Sequence, residues 1–315
     1  MTTADRPARY ELHCHLDASV RPDTIAALAA EHHLHLPAPV RHLAVAPADT
    51  GSLHAFLPYI DIALDVLQTP QALRRAAAEL VTDWRRDNVA YGEVRFAPQL
   101  HTRCGMTIDD AITAVSAGLT DGTTATGIRT GLLLCCLRHQ HPEMSMAVAD
   151  AAVRRRDVVA GLDLAGDERL PGARHREAFD LAHAAGVPVT VHAGEAAGPD
   201  SVWEALDVLG ARRIGHGVRS VADNALLDRL RRDQIALETC PRCNVLTRAV
   251  SSLADHPADR LLRAGIRVTV STDARTTADT TLDDEFQAMA TTFGWTSAQE
   301  QLCQDNAARA AFARI

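Results

Sequence analysis

Aromatic residues are scarce in this chain, at 4% of 315 positions, and the net charge is −8, from 32 basic and 40 acidic residues. A protein that binds nucleic acid needs a basic surface, and one that binds single strands also needs aromatic side chains on which bases stack. The composition therefore argues against nucleic acid or an anionic membrane surface as the main partner.

Long apolar runs are also missing. No stretch reaches the length of about 18 apolar residues that a membrane-spanning helix requires. The N-terminus, Met1–Pro7, has no basic segment followed by an apolar stretch, so it does not resemble a signal peptide. The seven cysteines are an odd number dispersed along the chain, a pattern typical of free thiols in a reducing compartment. We therefore expect a cytoplasmic protein.

Short β-rich runs alternate with helical segments along most of the chain. The predicted strands are Arg9–Leu16, Val89–Ala97, Gly127–Leu137, Val158–Ala165, Pro188–His192, Arg212–Gly215, Gln234–Thr239 and Arg267–Thr272. The predicted helices are Thr107–Leu119, Pro142–Arg156, Arg174–Ala185, Asp200–Leu209, Ala222–Arg232 and Pro257–Ala264. Eight strand–helix repeats predict a closed (β/α)8 barrel, a fold of roughly 250 residues. The alternative is an open doubly wound sheet, but no glycine-rich dinucleotide motif follows the first strand.

One connection is unusually long. About 70 residues separate the first two strands, far more than a usual strand–helix loop. Helical patterns cover Pro22–His33, Ser52–Val66 and Gln71–Asp87, and the last of these is interpreted as the barrel's own helix. We predict one domain over residues 1–315 with an insertion at 17–70. One interpretation is that the insertion packs on the top of the barrel, and the other is that it forms a lid over a small substrate. The same segment can do both.

Histidines and acids follow four of the predicted strands. His13 and His15 end the first strand, and alternate positions on a strand point to one face, so both rings could bind one ion. His192 and Glu195 follow the fifth strand, His216 the sixth and Asp273 the eighth. Active-site groups of such barrels lie at the C-terminal ends of strands. Three imidazoles and a carboxylate with an open position suit a catalytic divalent metal, most often zinc.

These residues belong to motifs that resemble the adenosine deaminase family of metal-dependent aminohydrolases over almost the whole chain. The motifs are Glu11-Leu-His-Cys-His-Leu-Asp17, Tyr91-Gly-Glu-Val-Arg-Phe-Ala-Pro98, Gly161-Leu-Asp-Leu-Ala-Gly-Asp-Glu168, His192-Ala-Gly-Glu195, Arg213-Ile-Gly-His-Gly217, Leu237-Glu-Thr-Cys-Pro241, Ser271-Thr-Asp273 and Asn306-Ala-Ala-Arg-Ala-Ala-Phe312. The resemblance implies a zinc-dependent barrel that deaminates adenosine or 2′-deoxyadenosine to the inosine product and ammonia. A homodimer is left open.

The resemblance also implies roles for individual residues. One zinc ion per chain is bound by four ligands, His13, His15, His192 and Asp273. Glu195 protonates ring nitrogen N1 of the purine, and His216 orients and helps to deprotonate the attacking water. Among the substrate-binding residues, Gly166 places its backbone near N3 and Asp17 hydrogen-bonds the ribose 5′-hydroxyl.

The chemistry supports these roles independently. Replacing an aromatic amine by a carbonyl needs hydroxide at neutral pH, which zinc can supply, and a proton for the adjacent ring nitrogen. A glutamic acid three residues after a ligand histidine is close enough to deliver that proton if its pKa is raised. The alternative for Glu195 is a carboxylate that stabilises a helix N-terminus. Asp163 and Asp167 are interpreted as salt-bridge or capping residues at the barrel rim, outside catalysis.

Other possible metal ligands are weaker candidates. Cys240-Pro-Arg-Cys243 has the spacing of zinc or redox sites, but the unrelated zinc deaminases combine Pro-Cys-x-x-Cys with His-x-Glu, which does not fit here. In the adenosine deaminase family this segment often has the sequence Cys-Pro-x-Ser-Asn. Cys243 is therefore interpreted as a replacement for that serine. The three histidines His101, His139 and His141 are predicted to be surface or loop residues rather than ligands.

Two departures from the family pattern concern the substrate. The family usually places a polar residue, or in many bacterial members glycine, after the metal aspartate, facing N7 of the purine, whereas this chain has Ala274. After the first two metal ligands the family usually has Asp-Gly, whereas this chain has Asp17-Ala18. We therefore keep as an alternative the same chemistry on a modified aminopurine or nucleoside analogue. A non-catalytic member of the fold would not need the full set of ligands with Glu195 and His216. A metalloesterase or lactonase would not need an acid at Glu195.

Overall fold

Eight parallel strands form the centre of the molecule, which a computed structural model describes over residues 7–313. The strands are β1 (Arg9–His15), β2 (Val89–Phe96), β3 (Arg129–Leu137), β4 (Val159–Ala165), β5 (Thr190–Ala193), β6 (Arg213–His216), β7 (Ala236–Thr239) and β8 (Arg267–Val270). Each overlaps the strand predicted from the sequence. The N-terminal segment considered for a leader falls almost entirely outside the described residues.

The strands pair in sequence order and the ring closes at two places. The orders are β1-β2-β3-β4 and β5-β6-β7-β8, and a Leu162–Val189 bridge joins the two halves. A second bridge joins Cys14 of β1 to Asp273, just beyond β8. There the His15 N–H donates to Asp273 O at 2.7 Å, and the Asp273 N–H donates to His13 O at 2.8 Å. The predicted (β/α)8 barrel is confirmed, and its closing seam lies between predicted metal ligands.

Helices surround the barrel. Those of the barrel and its loops are α5 (Pro70–Trp84), α6 (Ile108–Thr126), α7 (Pro142–Arg154), α8 (Arg176–Ala184), α9 (Pro199–Asp207), α10 (Asn224–Arg232), α11 (Pro241–Leu246), α12 (Ala258–Arg263), α13 (Leu282–Phe293) and α14 (Ser297–Ala310). Three of these helices, α11, α13 and α14, were not predicted, although a threonine N-cap with a capping box starts each of the last two. Their apolar residues complete the core between helices and strands.

The segment between β1 and α5 contains four short helices, α1 (Pro22–Glu31), α2 (Val40–Ala44), α3 (Leu53–Phe56) and α4 (Pro58–Val66). The prediction of one continuous helix over Ser52–Val66 is wrong, because Pro58 has no backbone N–H to continue the hydrogen-bond ladder. The short α2 was not predicted. Within the described residues, no helix has the length and apolarity needed to cross a bilayer.

Candidate active site

Four of the predicted residues converge at the C-terminal end of the barrel. Each of His13, His15, His192 and Asp273 offers one donor atom, and these atoms lie within 4.8 Å of one another. Nε2 of His15 is 3.1 Å from Nε2 of His192. Oδ1 of Asp273 is 3.3 Å from Nε2 of His13 and 3.4 Å from Nε2 of His15. Three ring nitrogens and a carboxylate oxygen therefore face one small volume.

The surroundings of the rings fit a metal ion. Nδ1 of His13 contacts Oε2 of Glu238 at 2.8 Å, and Nδ1 of His192 contacts Oδ1 of Asp163 at 3.1 Å. An ionised carboxylate only accepts hydrogen bonds, so each Nδ1 carries the proton and each Nε2 keeps its lone pair. Nε2 of His13 is buried and has no hydrogen-bond partner. A divalent cation would satisfy this atom and its neighbours together.

Two residues of the site adopt the left-handed backbone region. His216, the last residue of β6, has φ of 62°, and Asp273, beyond β8, has φ of 61°. Non-glycine residues rarely adopt this conformation, which costs roughly 1 kcal/mol or more and is found preferentially at functional sites. The turn re-aims each side chain from the strand end toward the centre of the barrel mouth.

Glu195 and His216 lie beside the predicted metal ligands. Oε1 of Glu195 accepts from the Thr247 hydroxyl at 2.8 Å, and Oε2 is 3.5 Å from Nε2 of His216. Nδ1 of His216 contacts Nδ2 of Asn244 at 3.0 Å. Burial raises the pKa of Glu195 above its usual range, and the nearby Asp273 and Glu168 carboxylates also raise it. The shift favours the protonated form that a proton donor requires.

The loop that carries Glu195 is held by a carboxylate that the sequence analysis did not single out. Glu168 accepts hydrogen bonds from four successive backbone N–H groups, those of residues 194–197, and from the Ser201 hydroxyl. The Glu195 N–H bond measures 2.9 Å. Glu168 lies within a quoted motif, but its partners are more than 25 positions away, so only the fold reveals its role. The expected alternative for Glu195, a helix-capping carboxylate, has no support, since α9 starts at Pro199.

A cavity of about 350 Å³ opens above these groups. The predicted substrate-binding residues Asp17, Gly166 and Ala274 all line it. Burial raises the pKa of Asp17 to about 6. Gly166 has φ of 90°, and a Cβ there would lie 3.1 Å from Nδ1 of His139, so only glycine fits without strain. Five apolar residues of the insertion also line the cavity, namely Leu53, Phe56, Leu57, Ile60 and Leu64.

The two cysteines of the Cys-x-x-Cys motif lie within this same site. Cys240 and Cys243 are fully buried and unbonded to each other. Sγ of Cys243 lies within 4.8 Å of oxygens of Glu195 and Asp273. Cys240 lies equally near to donors of His216 and Asp273. Both thiols also pack with Ala18, Ala274 and other apolar side chains in one cluster. The motif thus packs directly beside the converging donors, although neither cysteine lines the cavity.

Three of the remaining predictions are corrected or refined by the structure. Asp163 is not at the barrel rim: it is fully buried inside β4, bonded to Arg95 at 2.9 Å as well as to His192. His101 lies in the connection between β2 and α6, as the loop alternative predicted, but it is buried, with Nδ1 2.9 Å from Leu67 O. Asp167 does form an ion pair, with Arg169.

The two other histidines behave as predicted. His139 is exposed at the mouth of the cavity, and His141 is exposed at the start of α7. Neither lies in the group of four metal donors. The carboxylates that orient the ligands were missed because their partners come from distant strands: Glu238 is 225 positions from His13.

The barrel, the four converging donor atoms and the buried acid are typical of a metal-dependent hydrolase of the amidohydrolase type. Comparison with known proteins identifies the family. The model of the adenosine deaminase family matches residues 8–315. The adenosine deaminase of Mycobacteroides abscessus is 41% identical over 96% of this chain and 89% of that protein. That of Enterococcus faecalis is 37% identical over 96% and 91%. The chain belongs to the adenosine deaminase family and is a hydrolytic deaminase.

Solved structures similar to this one carry different substrates in their names. The adenine deaminase from Arthrobacter aurescens has a TM-score of 0.91 at 28% identity, covering 98% of this chain and 94% of that chain. The N6-methyl-AMP deaminase from Arabidopsis thaliana has a TM-score of 0.86 at 26% identity, covering 98% and 92%. An amidohydrolase from Burkholderia ambifaria with bound zinc has a TM-score of 0.89 at 26% identity, covering 99% and 89%.

Proposed function

We propose that this protein hydrolyses the 6-amino group of a purine nucleoside, converting adenosine or 2′-deoxyadenosine to the inosine product and ammonia with one bound zinc ion. The observation that carries the proposal is the buried Glu195 carboxyl, with its raised pKa, beside four converging metal donors. An esterase or lactonase would have no use for a proton donor at this place. A purine needs one, because attack at C6 breaks the aromaticity of the ring.

His13, His15, His192 and Asp273 would hold the zinc ion, in keeping with the unpaired Nε2 of His13. When bound, zinc supplies a hydroxide nucleophile at neutral pH by lowering the pKa of water toward about 7. Glu238 and Asp163 keep the ligand rings in the required tautomer.

His216 and Glu195 act on the protons of the reaction. Nδ2 of Asn244 donates to Nδ1 of His216, so the neutral ring carries its proton on Nε2 and would donate it to orient the attacking oxygen. Glu195 delivers its proton to N1 of the ring, and Thr247 holds the other carboxyl oxygen in place. After it has given its proton to N1, the Glu195 carboxylate, 3.5 Å from Nε2 of His216, would take the proton of the new C6 hydroxyl and pass it to the amino group, which leaves as ammonia.

The cavity favours an uncharged nucleoside over a nucleotide. The described residues that line it include no arginine or lysine, but they include two carboxylates, those of Asp17 and Asp61. A 5′-phosphate would meet two carboxylates and no cation, a repulsive arrangement. The apolar side chains of the insertion would cover the bound nucleoside and exclude water, so we also propose that residues 17–70 act as a lid on a single-domain barrel.

A second candidate, the same reaction on an aminopurine altered at the N7/C8 edge, is favoured by the apolar wall of the cavity. Ala18, Phe56 and Ala274 line it and pack in one cluster with Ala278 and Cys243, and none of these side chains is a good hydrogen-bond partner for N7. In a purine, N1 and N7 lie on opposite sides of the bond from C6 to its amino group. If Glu195 faces N1, the N7 edge therefore faces the residues on the other side of the site. An apolar wall suits a purine whose N7 edge is less polar.

The test is ammonia release by zinc-loaded protein from adenosine, 2′-deoxyadenosine, adenine, AMP and purines altered at N7 or C8. Adenosine or 2′-deoxyadenosine as the best substrate supports the first candidate, and an N7- or C8-altered nucleoside supports the second. AMP as the best substrate would contradict the assignment of a nucleoside site. Release of ammonia from none of these compounds would contradict the proposed function.

A further inference from the structure

The barrel interior contains charged side chains that the proposed reaction does not use directly. Glu93, Arg95, Arg213 and Glu238 are essentially inaccessible to solvent. The interiors of such barrels are usually filled by branched apolar residues. Buried charges are costly unless they are well paired, and removing one partner is more costly still. This buried set therefore implies a role that an apolar filling would not serve.

One end of the set reaches a predicted metal ligand. Nε of Arg213 donates to Oε1 of Glu238 at 2.6 Å. The other oxygen of Glu238 accepts from Nδ1 of His13 at 2.8 Å and from Arg95 at 2.7 Å. Arg213 therefore holds the same carboxylate that fixes the tautomer and orientation of the His13 ring.

The other end of the set meets the C-terminal segment. The guanidinium carbon of Arg213 is 3.6 Å from the centroid of the Phe312 ring, and Nη1 donates to Ala310 O at 2.8 Å. Glu93 pairs with Arg213 and accepts from the Phe312 N–H at 2.7 Å. A Cβ at Gly161 would lie 2.6 Å from the Phe312 ring, so the glycine makes room for it. Phe312 packs beside the starting ends of β4 and β5, opposite the active site.

We propose that Phe312 is a positioning residue for the metal site, acting from the opposite end of the barrel through Arg213, Glu238 and His13. The aromatic face fixes the plane of the guanidinium group by a cation–π contact in a buried setting. The plane of that group sets the position of Glu238, and Glu238 sets the ring of His13. Phe312 touches neither substrate nor metal, so its loss should act on metal retention. The inference rests on the proposed metal site.

The test compares release of zinc to a chelator from the folded, zinc-loaded parent and from variants, with the thermal unfolding midpoint measured alongside. Phe312→Leu keeps the apolar volume and removes the π face, whereas Phe312→Tyr keeps the face. The matched control is Phe286→Leu, which removes a different ring that also faces an arginine, Arg9 at 5.1 Å. Arg9 pairs with Glu300 at 2.8 Å, and Glu300 contacts no predicted metal ligand.

Loss of groups that orient metal ligands costs about 10–100-fold in metal affinity, so Phe312→Leu should release zinc about tenfold faster. Phe312→Tyr and Phe286→Leu should stay within about twofold of the parent. Parent-like release from Phe312→Leu, or equal acceleration in Phe286→Leu, would overturn the inference and leave the proposed function standing. A parent that takes up no zinc would overturn both. If Phe312→Leu yields no folded protein, Phe312→Met replaces it under the same criteria.

Discussion

Glu195 is buried near carboxylates, with Oε1 bonded to the Thr247 hydroxyl and Oε2 facing Nε2 of His216. Glu195→Gln removes the acidic proton and little volume. We expect the variant to keep its zinc and a KM within a few-fold of the parent, while kcat falls by about 10²–10⁴-fold, the usual contribution of a general acid. Steady-state kinetics and zinc analysis test this together.

The control for this prediction is Thr247→Val, which removes the hydrogen bond to Glu195 and keeps the carboxyl group. Its kcat should fall much less than that of Glu195→Gln. A Glu195→Gln enzyme that deaminates within threefold of the parent rate would show that the proton at N1 comes from elsewhere.

Ala274 separates the two candidate substrates. In Ala274→Asp, a protonated carboxyl group could donate to N7, a hydrogen bond worth roughly 0.5–1.5 kcal/mol. If the site is specialised, kcat/KM for adenosine should rise up to about tenfold. The value for the preferred N7- or C8-altered nucleoside should fall, because a buried carboxyl without a partner is costly.

Ala274→Val is the control for bulk, since it adds volume without a hydrogen-bonding group. It should lower kcat/KM for both substrates. Specialisation is contradicted if adenosine is the best substrate of both the parent and Ala274→Asp.

At the scale of elements, the insertion supplies apolar side chains to the cavity from α3 and α4. Ile60 lies on α4, is half-buried and faces the cavity. Ile60→Ala should raise KM for the nucleoside about threefold to tenfold, because roughly 1 kcal/mol of apolar contact is lost. Its unfolding midpoint should change little. An unchanged KM with a lowered midpoint would mean that Ile60 serves packing alone and would count against the lid.

Helix α13 begins with a buried carboxyl group, Glu285, which accepts from the Thr280 hydroxyl at 2.6 Å and from the Arg242 N–H at 3.1 Å. Burial raises its pKa from 4.5 to about 8. Between these two pKa values the folded state therefore keeps a proton on Glu285, whereas the unfolded chain has lost it. The stability that this provides is fully present below about pH 4.5 and is lost as pH rises through about 8.

Glu285→Gln should remove that dependence. Between pH 5 and about 8, the free energy of unfolding of the parent should fall more steeply than that of the variant, with a difference in slope of up to about 1.4 kcal/mol per pH unit. Glu177→Gln, at an exposed position in the first turn of α8, should keep the parent's slope. Denaturant titrations at several pH values measure this, and equal slopes for parent and Glu285→Gln would contradict the assignment.

Elements with a strong local pattern could be predicted from the sequence. The run Thr130–Leu137 is almost continuously apolar and lies in β3, and Gly186 and Gly265 end helical stretches with φ of 75° and 77°. The break at Pro58 could also have been foreseen from the missing N–H. The short α2 could not, because five residues give too little periodicity for a helix to stand out.

At the scale of the whole molecule, the convergence of the four proposed metal ligands could be predicted and the groups that orient them could not. His13, His15, His192 and Asp273 stand at strand ends in the sequence, where barrel chemistry is expected. Glu238, Asp163 and Arg95 stand inside strands, where an isolated charged residue gives no hint of its partner. Their pairing depends on strand order and register around the closed barrel, which only the three-dimensional structure supplies.

The barrel therefore places the proposed metal ligands at its mouth and, below them, buried charged side chains that orient those ligands. The seam where β1 meets the segment beyond β8 joins backbone groups of His13 and His15 to those of Asp273. Because ligands from both sides of the seam would hold one ion, metal binding should also stabilise closure of the barrel.

The most direct test of the account is a zinc titration of metal-free protein, with ammonia release from the best nucleoside substrate measured at each step. Activity should rise in proportion to zinc and level off at one equivalent per chain, and His13→Ala or Asp273→Ala should lose occupancy and activity together. Full activity in protein shown by elemental analysis to be metal-free, or no ammonia from any aminopurine nucleoside at full zinc loading, would contradict it.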